Sequence, residues 1–212
     1  MENSTNTISS PAQAQWIAVV AVFGALWGAA EISLGAILRS ASIPMHGTLM
    51  TGIGIIIMLV ARQTLSAGGR QGRGVCLAIG VVAAAILPMS VTRGMVWALV
   101  GILAEAACLE AILWPGRPGR WRFAVAAVIA ALIPLAQVLT TLAVQFGPAV
   151  LSEFREVLLV KQGGARLGLA GQTAGTLLAL IVVASAVFGL LCGTLAWSLA
   201  RQILKRLGRA PA

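Results

Sequence analysis

Charged side chains are scarce in this 212-residue sequence, at 10%, and it holds a single histidine. That shortage removes most enzyme chemistry at the outset. No nucleophile stands with a partnered base, no two carboxylates are spaced for hydrolysis, and no phosphate-binding glycine loop occurs. No catalytic residue and no cofactor is therefore assigned. The three cysteines, Cys76, Cys108 and Cys192, fall inside apolar stretches without metal-ligand spacing. They read as small packing residues, not as a disulfide framework or a metal site. Residues 1–15 are polar but contain no Lys or Arg, unlike the basic start of a signal peptide, so the first apolar stretch is expected to remain as a crossing.

What is abundant is apolar surface. Hydrophobic residues make up 59% of the chain and the mean hydropathy is +0.96, beyond what a water-soluble domain of this size tolerates. Six apolar stretches can be traced: 16–38, 44–61, 75–89, a fourth from Arg93 through Glu110, 123–146 and 173–204. Each is near the ~20 residues needed to cross a ~30 Å hydrocarbon core. Lipid cannot satisfy open backbone groups and the runs are too long for barrel strands, so they must be helices. The expected fold is an all-α membrane protein, a six-transmembrane-helix bundle over residues 16–204. A disordered tail, 1–15, precedes it and a basic tail, 205–212, follows it.

The net charge of +9 raises the question of nucleic acid, and the placement of that charge answers against it. Arg62, Arg70, Arg73, Arg117, Arg120, Arg122, Arg201, Lys205, Arg206 and Arg209 follow the second, fourth and sixth stretches, leaving only Arg39, Arg93, Arg155, Lys161 and Arg166 for the other side. The positive-inside rule then puts both termini in the cytoplasm of a cell (inner) membrane, with the surplus available to anionic headgroups of the lipid bilayer.

The first stretch carries Ala21, Ala25 and Ala29 at every fourth position, with Gly24 and Gly28 one step back. On a helix the alanines form one narrow stripe, while Trp27 and Glu31 fall together roughly 140° away. One face admits a close neighbour, and the other offers a ring and a carboxylate. The second stretch opens on His46. Arg93, Trp97, Gln137, Thr140, Thr141, Gln172 and Thr176 lie at the corresponding ends of later stretches. Polar groups gathered at one depth inside an apolar shell have the make-up of a small-molecule pocket. Residues 147–172, the longest connection, include an amphipathic segment at 150–160 read as a short interfacial helix. Glu105, near mid-membrane, either holds helices in register or takes part in ligand or proton handling, and Glu110 is expected to pair with Arg117 or Arg120.

Six helices with both termini inside, the Ala21/Ala25/Ala29 stripe, and polar residues collected in the outer half resemble the S component of an energy-coupling factor (ECF) transporter. The resemblance implies that the alanine stripe docks on a transmembrane coupling subunit, that separate ATPase subunits hydrolyse ATP, and that a vitamin or other micronutrient is captured from outside. The absence of a Walker sequence accords with that division of labour. The start Met1-Glu2-Asn3 departs from the Met-His metal site of the nickel and cobalt members. On this reading the substrate-binding candidates are Trp27, Glu31, His46, Arg93, Trp97, Gln137, Thr141 and Thr176. Two other readings stand beside it: a structural or assembly membrane protein whose polar residues fasten helices together, and a carrier coupled to ions through Glu31 and Glu105.

Overall fold

A computed structural model describes residues 11–41, 46–67, 72–89, 95–114, 119–161, 169 and 171–208. Those residues are helical nearly throughout and contain no strand. The helices are α1 (Pro11–Ser40), α2 (His46–Ala67), α3 (Val75–Ile86, ending in a 3-10 turn over Leu87–Met89), α4 (Met95–Leu113), α5 (Arg120–Ala131), α6 (Ile133–Phe146), α7 (Val150–Glu156) and α8 (Ala174–Arg206). Five helical runs are long and apolar enough to cross a bilayer, with Val75–Ile86 as a shorter apolar helix. Their outward residues include Val22, Val144, Val183 and Leu191, all at least 60% exposed, which water would not tolerate in such number and lipid welcomes. The chain is a multi-pass membrane protein.

Where helices meet, small residues let the backbones close up, as lipid-embedded packing requires. Gly24 and Gly28 of α1 lie against Val82 and Ile86 of α3. On α8, Gly189 and Gly193 face α5, where a Cβ on Gly189 would sit 2.7 Å from the Ala127 carbonyl and 2.8 Å from Val128 Cα. Facing them, Phe123, Ala124, Ala127 and Ala131 of α5 are buried. The edge-on contact of Phe123 with Trp197, centroids 5.2 Å apart, closes the lower part of this seam.

Several boundaries differ from the sequence reading. Residues Pro11 to Gln15, placed in a disordered tail, belong to α1. The second crossing does not end at Ala61 but runs on to Ala67. Arg62, expected in a cytoplasmic loop, is 1% exposed and pairs with Glu110 at 2.6 Å. Glu110 is thus held by Arg62. Its carboxylate also accepts hydrogen bonds from the amides of Gly74 (2.8 Å) and Cys76 (3.1 Å), at the start of α3. Gly74 is the N-cap there, at φ 77°, and has no side chain to cap with, so a carboxylate 36 residues away takes that role. The fifth stretch is two helices. Pro134 supplies no N–H, and the chain breaks at Leu132 before restarting as α6. The amphipathic segment expected over 150–160 is α7, whose last residues widen into a π turn over Val157–Lys161. All three cysteines are free thiols.

Candidate functional site

The Leu132–Pro134 break, the C-terminal half of α1, the opening of α2 and the first turns of α4 border a half-open chamber of about 140 Å³ with several polar groups on its wall. Glu31 and Gly35 come from α1, His46, Met50 and Thr51 from α2, Gly101, Ile102 and Glu105 from α4, and Pro134 and Gln137 from the α6 side. Two carboxylates, an imidazole, a hydroxyl and an amide therefore share one space inside an apolar bundle. Three of these polar groups are held by partners on neighbouring helices. Thr51 donates its hydroxyl to Glu105 Oε1 at 2.5 Å, and both residues are buried. Gln137 donates through Nε2 to the Trp97 carbonyl at 2.9 Å. Its amide fits because position 101 is glycine, where a Cβ would stand 2.8 Å from Gln137 Oε1.

A second, apolar chamber of about 170 Å³ adjoins the first and shares His46, Gly47 and Pro134 with it. Thr48 of α2, Leu135 and Val138 of α6, Ile181 of α8, and Phe154, Val157 and Leu158 from α7 and the π turn after it complete its wall. The amphipathic helix is thus a roof. Phe154, Leu158 and Leu159 turn inward onto Leu142, Leu177 and Ile181, forming a small core separate from that of the main bundle. Arg155 Nε ties the outer side of the roof to the Gln172 carbonyl at 3.1 Å. Each chamber alone falls below the ~300–1,000 Å³ of drug-sized sites, and the two together reach its lower end.

No known family pattern, curated protein or solved structure matches this chain. The geometry therefore carries the functional argument.

Of the residues singled out from sequence, Glu31, His46 and Gln137 meet on the polar chamber wall. Trp27 does not line either chamber: it is fully buried, its ring packed over Gly54 and near Gly80, and a Cβ on Gly54 would lie 2.6 Å from the ring. Its Nε1–H has no acceptor among the described residues. Thr141 bonds back to the Gln137 carbonyl within α6, and Thr176 pairs with Thr173 in the capped first turn of α8. Trp97 is half exposed and contributes its carbonyl to the Gln137 bond. Arg93 lies outside the described residues, as do Ser42, Pro44 and Met45. Thr51 and Gly101 carry no signal in the sequence: a threonine and a glycine in apolar helices bear no charge, and only the partners across the bundle give them a role. Ala21, Ala25 and Ala29 lie on the exposed side of α1, flanked by Val22 and Leu26. Among the described residues no three of His, Cys, Asp and Glu gather as a metal-ligand set.

Proposed function

We propose that this chain is a membrane-embedded solute-binding protein that acts as the S component of an ECF-type uptake transporter, taking a vitamin-like or other small micronutrient from the outer side. The observation that carries this reading is the double chamber: Glu31, His46, Thr51, Glu105 and Gln137 on one side of the Pro134 break, and an apolar hollow roofed by α7 on the other. Such a pair accepts a solute with a donor-rich or cationic end and a compact apolar or aromatic body. In this reading Val75–Met89 makes a sixth crossing and both termini lie in the cytoplasm of the inner membrane. The chamber opens outward, and the α1 stripe Ala21, Ala25, Ala29 meets the transmembrane coupling subunit. The chain binds and its partners, the ATPase subunits, supply the energy.

Binding is tested by thermal shift of the detergent-purified protein against vitamins and their precursors, since a specific ligand raises the midpoint by mass action. For whichever compound stabilises the protein, Glu31→Gln and Gln137→Ala should each weaken binding by roughly 10- to 100-fold. That is the size of a lost hydrogen bond to a charged or buried group. Calorimetry giving wild-type affinity for both variants sinks the chamber assignment. Docking is tested separately. Ala25→Trp should abolish cellular uptake while leaving the dissociation constant unchanged, because residue 25 faces away from both chambers; uptake at the wild-type rate would remove the docking role.

One observation favours a second reading. Glu105 is buried, accepts a hydrogen bond from the Thr51 hydroxyl and lines the same chamber as Glu31, as an ion-coupled carrier would need. Glu105→Gln that keeps binding but loses concentrative transport would select the carrier over the ECF assignment.

A further inference from the structure

At the end of the bundle away from the chambers, α5 and α8 border a cleft of about 450 Å³. Arg120 enters it from the first turn of α5, and Ser198, Arg201 and Lys205 enter from one face of α8, with Trp197 as a wall. No acidic residue lines it, and none of the three cations belongs to an ion pair among the described residues. The neighbouring carboxylate on α4, Glu110, is already engaged by Arg62.

The same face of α8 continues upward as Val183, Val187, Leu190 and Leu191, between 41% and 61% exposed. Stepping by 3, 4 or 7 residues keeps these side chains, then Thr194 and Ser198, then Arg201 and Lys205, in one line along the helix. The order is apolar, hydroxyl, cation. That sequence of chemistries matches a phospholipid read from acyl chain through glycerol to phosphate. At 33 residues α8 is ~50 Å long, so its last turns extend beyond a ~30 Å hydrocarbon core into the headgroup layer. Trp121, 80% exposed beside Arg120, supplies an indole of the kind that settles at that boundary.

We propose that this cleft is a binding site for the phosphate headgroup of an anionic phospholipid, held by Arg120, Arg201 and Lys205 with the Ser198 hydroxyl. It is independent of the solute-binding reading. Basic pockets between membrane helices on the cytoplasmic side suit such headgroups. The tight bordering of α5 and α8 through Gly189 and Gly193 means that a lipid seated there bridges two elements whose packing is already close.

The test uses full-length protein, stripped of lipid in a neutral detergent and titrated with phosphatidylglycerol, phosphatidylcholine or inorganic phosphate, with native mass spectrometry and thermal midpoint as readouts. The wild type should retain and be stabilised by phosphatidylglycerol alone. Arg201→Gln/Lys205→Gln should bind it roughly 30-fold more weakly, the product of two lost headgroup charges. Arg206→Gln, a charge on the same turn that does not line the cleft, should stay within about threefold of wild type. These substitutions are at exposed positions, so the fold is retained. Equal weakening by Arg206→Gln shows diffuse surface attraction and overturns the site. Equal stabilisation by inorganic phosphate overturns the lipid assignment in favour of a free anion. Undiminished phosphatidylglycerol binding by the double variant also overturns it, leaving the cleft to a protein partner.

Discussion

Replacing Arg62 with methionine is expected to cost about 3–5 kcal/mol of stability, although a hydrophobic residue in a membrane helix is ordinarily favourable. The reason is what stays behind. Arg62 donates from Nη1 to Glu110 and from Nη2 to the Leu113 carbonyl, each at 2.6 Å, with 1% of its surface exposed. Removing one member of a buried pair leaves the other charge unpaired, which is the costly case, whereas removing both is often close to neutral. Here Glu110 also holds the amides of Gly74 and Cys76, so the ion pair fastens α2 and α4 to the first turn of α3. Unfolding of the detergent-solubilised protein by heat or denaturant measures the loss. Arg62→Met/Glu110→Gln should recover part of it, because glutamine keeps one acceptor for the α3 amides and carries no charge. A single variant melting with the wild type would show that the pair is not formed in the membrane.

The second large effect is expected from Gly193→Leu. A Cβ at this position would lie 2.9 Å from the Ala127 Cβ and the Phe123 carbonyl, and 3.0 Å from Ala124 Cα. Two of those three atoms are backbone, which cannot swing aside as a flexible side chain would. Overpacking ordinarily costs about 1–3 kcal/mol, and a rigid obstacle puts this substitution at or above the top of that range. The companion test is Gly175→Leu on the same helix, where a Cβ meets nothing within 4 Å. It should be nearly silent by midpoint. Comparable losses in the two variants would mean that added bulk on α8 in general, not the α5–α8 contact, governs the result, since leucine is the better helix former and propensity alone favours both substitutions. The loss of α5–α8 packing should also reach the apolar chamber, since Pro134 lies just beyond the end of α5 and Ile181 lies on α8.

Much of the architecture was legible because it depends on local pattern. Apolar runs of membrane length read as helices since no other backbone arrangement is satisfied in lipid, and α8 lies within two residues of its expected span at each end. The amphipathic roof was legible too: alternating apolar and charged residues with helical spacing can bury only one side. Part of the polar chamber was visible for a similar reason, since Glu31, His46 and Gln137 sit toward the same end of the first, second and fifth apolar stretches. What pattern could not supply was partnership. Arg62 looked like a loop residue because an isolated arginine in hydrocarbon is expensive, and nothing near it in sequence offsets that cost. Its partner is 48 residues away.

By itself, then, the sequence determined that this chain is helical, crosses a membrane repeatedly, keeps its cations chiefly at one end, and has a small-residue stripe with a polar opposite face on its first helix. Those properties follow from hydropathy and from the 3.6-residue period, which neighbouring residues define without help. Only the tertiary structure decided that Glu110 caps α3 in place of an absent side chain, that Trp27 is buried over Gly54 and does not line the chamber, that Thr51 and Glu105 form part of the chamber wall, and that Gly189 and Gly193 bring α8 against the backbone of α5. Each of these depends on a group far along the chain arriving within a few ångströms. A charge, a ring or a missing side chain acquires its meaning from what it touches, and contact is a property of the folded bundle.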